Sequence, residues 1–194
     1  MAEPKKEKAF ITPEEYFQMD DASEERLTFY RGEVFAMVGA RFEHNQICTN
    51  ISAHFNTVLP ESCFIVGAAM RVQVEEKTHY TYPDIAVVCG PPEFLDARKR
   101  NTLLNPVLIA EVLSKSTQSF DRGDKFASYR KIDTLRHYLL VDQYAVHIEH
   151  FYKNTSGHWE LAEKHRLDDV LELKHIGCDL PVREIYRRID LDSG

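Results

Sequence analysis

Cysteine, glycine, tryptophan and long apolar runs are scarce in this chain of 194 residues, which holds 4 Cys, 8 Gly, 8 Pro and 1 Trp. Cys48, Cys63, Cys89 and Cys178 are scattered, and no CxxC pair occurs, which excludes a zinc knuckle or a thioredoxin-like motif. Four isolated cysteines in a chain this long are expected to be reduced thiols, mostly buried, in a cytoplasmic protein without a structural disulfide. The apolar stretches, such as Val107 to Leu113, fall far short of the ~20 residues of a membrane span. The N-terminus, Met1-Ala2-Glu3-Pro4-Lys5-Lys6-Glu7-Lys8, lacks the apolar segment of a secretory signal. No G-x-S-x-G elbow and no phosphate-binding glycine loop is present. Positive charge is in deficit as well: 24 Lys plus Arg stand against 31 Asp plus Glu, a net charge of -7. That balance excludes a histone-like grip on nucleic acid over the whole surface and leaves room for a local basic face.

What is present supports a packed fold. A hydrophobic share of 43% is enough for a core. Residues 1–10 read as a frayed tail, and 11–194 as a single domain, with no repeat, linker or charge block to divide it. Thr12-Pro13-Glu14-Glu15 is a helix start, with Thr12 as N-cap, Pro13 at the first helical position and Glu15 closing a capping box; the helix runs to about Met19. Arg26 to Arg31 and Glu33 to Val38 read as two strands turned at Gly32. Ile47, Ile51, Phe55, Val58 and Leu59 share one helical face between Arg41 and Leu59, and Pro60 stops that helix. Strands are expected at Cys63 to Val66, Met70 to Val74, Tyr82 to Cys89 and Val107 to Leu113, then a helix from about Asp124 to Ile132. Further strands at 138–141, 145–152, 158–164 and 170–175 precede a terminal helix opened by Pro181. The order implies an α/β or α+β fold with a mixed central β-sheet flanked by helices and an N-terminal hairpin.

Two carboxylates stand out. Asp84 and Glu111 each sit in an otherwise apolar strand, where a lone buried charge costs several kcal/mol and must be paired, hydrogen-bonded or bound to a cation. Hard oxygen ligands of this kind suit Mg²⁺ or Mn²⁺; a strand-end carboxylate facing solvent, or an ion pair, is the alternative. Lys125 follows at the start of the next helix with Tyr129 one turn on, on the same face. A lysine so placed can orient a water nucleophile and stabilise charge on phosphorus; an exposed helix lysine is the plain alternative. His147, Glu149 and His150 look like a ligand set, but position 150 faces away from the other two, so they read as a solvated hairpin face. Arg98-Lys99-Arg100 and Arg183, Arg187 and Arg188 are small basic clusters, and Trp159 reads as core.

Taken together, these motifs resemble the PD-(D/E)XK nuclease superfamily, the restriction-endonuclease-like fold, and more closely its branch of restriction-endonuclease relatives once described only as a domain of unknown function. The matching elements are Gly32-Glu33, His44, Pro83-Asp84, Glu111-Val112-Leu113-Ser114-Lys115-Ser116-Thr117, Asp121 with Lys125 and Tyr129, and Val141-Asp142, covering about Thr12 to Tyr152. One departure matters: the third position of the E-x-K triplet is Leu113, so the lysine would come from the next helix as Lys125, with Lys115 a weaker competitor. The resemblance implies a metal-dependent DNA endonuclease. Asp84, Glu111 and Glu33 would hold Mg²⁺ or Mn²⁺, Lys125 would act on the attacking water, and His44 would serve as base, phosphate contact or helix-start residue. It also implies a DNA partner and a homodimer, while the short apolar runs and lone cysteines point to no membrane and a cytoplasmic location. The competing readings are a catalytically decayed nucleic-acid-binding or dimeric module, and a metal phosphoesterase acting on a small molecule.

Overall fold

The computed structural model describes residues 10–37, 39–114 and 121–191. The tail at 1–9 and Lys115, Ser116 and Thr117 lie outside the described residues.

The capping box forms as expected: helix α1 (Pro13–Ala22) starts with the Thr12 side chain accepting from the Glu15 N–H, while Glu15 reaches back to the Thr12 N–H at 2.8 Å. Strands β1 (Leu27–Tyr30) and β2 (Glu33–Ala36) follow, joined by Arg31 and Gly32 at φ 48 and 85. Two consecutive positive φ values make the tight mirror-image turn whose twist matches a hairpin, and a side chain at Gly32 would collide with the Phe10 ring. Helix α2 (Phe42–Val58) buries Ile47, Ile51 and Phe55, one per turn, as the spacing predicts, while Val58 at its last position is exposed and Leu59 is the C-cap.

The strand-rich middle resolves into β3 (Cys63–Gly67), β4 (Arg71–Glu75), β5 (His79–Thr81), β6 (Ile85–Cys89), β7 (Thr102–Leu103) and β8 (Leu108–Leu113). The run expected from Tyr82 to Cys89 begins only at Ile85. Pro83 carries no N–H for a ladder, and the chain breaks between β5 and β6 there, leaving Asp84 just ahead of β6. After β8 a single π-type turn (Asp121–Lys125) leads into α3 (Phe126–Tyr129), shorter than the helix expected to Ile132. The rest is β9 (His137–Asp142), β10 (Ile148–Lys153), β11 (Trp159–Lys164), β12 (Val170–Leu173), β13 (Cys178–Pro181) and α4 (Val182–Ile185).

The central sheet is mixed, as expected, with order β11-β10-β9-β8-β6-β3; β8 and β9 run parallel and the other pairs antiparallel. A parallel pair needs a crossover, and the segment carrying α3 supplies it. A second sheet, β2-β1-β5-β4-β7, and the β12–β13 hairpin complete the fold. One core joins α2, β12, β13 and α4 to one face of the central sheet, with Ala110, Val112, Leu139 and Val141 from the strands. A second core covers the other face, where Ile109, Leu113 and Leu140 meet Val72, Val74 and Tyr129. β8 is therefore buried on both sides, which its unbroken apolar run anticipates.

The cysteine expectation fails at one pair. Cys63 and Cys89 face each other across β3 and β6 and form a disulfide, while Cys48 and Cys178 are free thiols. Distance in sequence hid the pairing: at a separation of 26 residues, the chain winds through β4 and β5 before β6 returns beside β3.

Candidate active site

Glu111 is the fourth residue of β8 and points to the second-core face, the same side as Ile109 and Leu113. Its side chain is 6% exposed, and its Oε1 is met by the Lys125 ammonium at 2.8 Å and by the Tyr129 hydroxyl, which donates at 2.8 Å. Lys125 also touches Asp121 Oδ1 at 3.0 Å, one turn back along the chain. The helical spacing makes this possible, since residues four apart stack on one face. Asp121 itself is buried, and its carbonyl accepts from the Tyr138 hydroxyl at 3.2 Å.

Asp84 reaches the same place from the end of β6. The β6–β8 ladder ends at the pair Ile85 and Ala110; two residues on, the Val112 N–H donates to Asp84 Oδ2 at 2.7 Å. The side-chain carboxylate thus replaces a ladder acceptor and sets Asp84 beside Glu111. Its other oxygen, Oδ1, lies 3.1 Å from His44 Nε2, in the first turn of α2. Cys48, one turn after His44, brings its sulfur near, so that the His44, Cys48 and Asp84 donor atoms lie within 4.8 Å of one another. Beyond β9, Gln143 is buried and donates to the Leu113 carbonyl at 2.7 Å, pinning the end of β8.

Charge and burial act together. Burial pushes the Glu111 carboxyl up, opposed by Lys125 and reinforced by Asp84 and Asp121, to about 7. Burial alone would lower Lys125, but the Glu111 and Asp121 carboxylates outweigh it and hold the ammonium charged. For His44, too, burial is outweighed, here by the Asp84 hydrogen bond and the surrounding carboxylates, and its pKa rises. Acidic groups therefore crowd a small, mostly buried volume, and among the described residues the Lys125 ammonium is the fixed positive charge in contact with Glu111 and Asp121. Oxygen-rich donor sets of this kind match a hard divalent ion such as Mg²⁺ or Mn²⁺.

Four of the five residues singled out from sequence, Asp84, Glu111, Lys125 and His44, lie together through these contacts. Glu33 lies at the first position of β2, opposite Tyr30. Tyr30 in turn pairs with His79, and the His79 ring stacks on Tyr129 at 6.4 Å. Glu33, Tyr30 and His79 hence form one row on the sheet face that meets the site. Leu113 is buried in the second core, so its place in the triplet carries packing rather than charge. In the sequence Asp121 is matched as the motif partner of Lys125 and Tyr129, and no role is assigned to Cys48, Gln143 or His79. Cys48 stands four residues from His44, a visible helical signal; Gln143 and His79 carry none. His79 is fully buried, and neither ring nitrogen has a hydrogen-bond partner among the described residues. A cavity of about 380 Å³ lies elsewhere, between β10, β11 and the β12–β13 hairpin, and none of the acid-cluster residues line it.

Known proteins place this arrangement in context. The chain is 35% identical over 178 residues to one uncharacterized protein of Synechocystis sp., covering 91% of this chain and 92% of that one. A second uncharacterized protein of the same organism is 36% identical over 154 residues, covering 79% and 86%. The fold matches a crystal structure described as "a putative nuclease belonging to DUF820" from Anabaena variabilis, at TM-score 0.74 and 16% identity, over 91% of this chain and 97% of that one. The family model Uma2, described as "Putative restriction endonuclease", matches residues 13–183, and the chain belongs to that family.

Proposed function

We propose that this protein is a metal-dependent endodeoxyribonuclease that hydrolyses phosphodiester bonds, with Asp84, Glu111 and Lys125 as its catalytic residues. The observation that carries the reading is the convergence on one Glu111 oxygen of the Lys125 ammonium and the Tyr129 hydroxyl, with Asp84 tied to the next residue's N–H. Asp84 and Glu111 would hold Mg²⁺ or Mn²⁺, with Glu33 assisting from the hairpin row. Such an ion lowers the pKa of a bound water and neutralises charge on the scissile phosphate.

The chain's own groups supply the rest. The Lys125 ammonium offers a fixed positive charge beside the carboxylates, where it can orient the attacking water and stabilise negative charge building on the phosphate oxygens. In the net step the water oxygen bonds to phosphorus, the P–O bond to the leaving oxygen breaks, and that oxygen departs with the electron pair and gains a proton. Tyr129 and His44 are positioning residues: one fixes a Glu111 oxygen, the other an Asp84 oxygen. The substrate is DNA, and two copies of the chain, one per strand, form the cutting unit as a homodimer. The setting is the cytoplasm.

The test is cleavage of supercoiled plasmid and single-stranded DNA in Mg²⁺ or Mn²⁺. Wild type should cut and Asp84→Ala should not. Cleavage by Asp84→Ala at the full rate would sink the assignment. A wild type that binds DNA but never cuts would instead favour a decayed binding module, the reading that Leu113 in the triplet invites.

A further inference from the structure

His147, Glu149 and His150, expected as a solvated hairpin face, do not converge on one point, but Glu149 and His150 are buried rather than solvated: Glu149 pairs with Arg122, and His150 bonds to His137 on the opposite face. A different trio does converge. The β10–β11 ladder pairs Glu149 with Glu163 and ends at Ile148 and Lys164, so the next residues on each strand are His147 and His165. Their rings stack with centroids 4.6 Å apart and 10° between planes. Glu163, two residues before His165, projects from the same face, and its Oε1 lies 3.1 Å from His147 Nε2. One donor atom from each of His147, Glu163 and His165 lies within 4.8 Å of the others.

We propose that His147, Glu163 and His165 form a second divalent-cation site, for a borderline transition ion of the zinc class, separate from the oxygen-rich acid cluster. Two imidazoles and one carboxylate are the donors such an ion prefers over Mg²⁺. A pair two apart on one strand plus the directly opposite residue on its neighbour brings three side chains to one point on a sheet face. Donors around a tetrahedral ion sit roughly 3.3 Å apart at bond lengths of about 2.0 to 2.1 Å. A small side-chain adjustment therefore closes this set, and the exposed Glu163 and His165 leave a fourth position open to solvent.

The backbone is already held for this purpose. The His147 N–H donates to the Tyr186 hydroxyl at 3.2 Å, and the same hydroxyl is within 3.0 Å of the His147 carbonyl. The His165 N–H donates to Asp169 Oδ2 at 3.1 Å. By contrast the His165 ring makes no hydrogen bond among the described residues; its contact is the stack on His147. Position matters as well. Glu111, Leu140, Glu149 and Glu163 are successive ladder partners across β8, β9, β10 and β11, so they share a face. An ion on Glu163 would lie three strand spacings, roughly 14 Å, from Glu111. It would add positive charge to the acid-cluster face of a chain whose net charge is -7. The metal site stands or falls without regard to whether the chain cuts DNA.

The experiment uses the full chain carrying Asp84→Asn, which removes the carboxylate from the competing His44, Cys48 and Asp84 group. The metal-stripped protein is titrated with Co²⁺, followed by its visible absorption, and then with Zn²⁺ in competition; native mass spectrometry counts the ions. One ion per chain with tetrahedral Co²⁺ bands is expected. Adding His165→Ala or Glu163→Gln, both exposed positions, removes a direct ligand and should weaken binding by at least the roughly 10–100-fold that loss of an outer-shell partner costs. Thermal melts confirm that these variants fold. Binding that is absent in Asp84→Asn, or is unmoved by both His165→Ala and Glu163→Gln, overturns the proposal.

Discussion

Replacing Lys125 by Met tests the electrostatic heart of the acid cluster. The ammonium lies 2.8 Å from Glu111 and 3.0 Å from Asp121, and its side chain is 12% exposed. Removing one member of a buried pair costs about 3–5 kcal/mol, because the partner charge stays behind. Here the loss is softened, since Glu111 already sits at about 7 and takes up a proton once Lys125 is gone. The low end of that range, at roughly 2–4 °C per kcal/mol for a chain of this size, gives a fall in Tm of about 6–12 °C. The pH dependence has a definite sign. In the variant the folded pKa of Glu111 is raised further above its ordinary 4.5, so its contribution is full below that value and is lost as pH rises toward the folded pKa. The Tm deficit should therefore be larger at pH 8 than at pH 6, and Mn²⁺ should narrow it by restoring positive charge. Scanning calorimetry of both proteins at the two pH values, with and without Mn²⁺, measures this. Equal Tm values for variant and wild type at both pH values would refute the reasoning.

Three further outcomes are expected. Tyr129→Phe removes a buried hydroxyl that donates to a carboxylate, so urea unfolding should show a loss of about 1.5–3 kcal/mol; an unchanged midpoint would place Glu111 elsewhere. His137 and His150 bond to each other at 2.9 Å, and burial depresses them to about 3 and about 4. Each holds the fold in its neutral form, so stability is full above their ordinary 6.5 and is lost as pH falls from there toward about 4. At about 1.4 kcal/mol per pH unit, His150 accounts for about 3 kcal/mol of acid sensitivity. His150→Leu should flatten that part of the unfolding curve, and a slope identical to wild type would contradict it. Under oxidising conditions, reducing the Cys63–Cys89 bridge, with a separation of 26 residues, should lower stability by about 3.5 kcal/mol on the chain-entropy account. Cys63→Ser should remove the sensitivity to reductant, and a melt indifferent to reductant in wild type would show that the bridge contributes nothing.

Local chemistry made much of this legible in advance. Thr12, Pro13 and Glu15 mark the first helix, the Ile47, Ile51 and Phe55 spacing marks the second, and the apolar run around Glu111 marks a strand buried on both faces. Glu111, Lys125 and Tyr129 were readable because a buried carboxylate requires a partner and because positions 125 and 129 share a helical face. What stayed hidden depends on chain return. The Cys63–Cys89 pairing, the split into two sheets at Pro83 and the stacking of His79 on Tyr129 arise from which strands meet, and no local pattern encodes that. The His147, Glu163 and His165 trio was missed for the same reason: two of its members belong to the neighbouring strand, and only the ladder register sets them opposite His147.

The most direct test of the central claim is the rate of plasmid nicking in Mn²⁺ by Glu111→Gln and Lys125→Met, singly and combined. If the two residues act as one unit on the scissile phosphate, each single variant should be slower by at least about 100-fold, and the double no slower than the worse single. Nicking at the wild-type rate by either single variant would contradict the account.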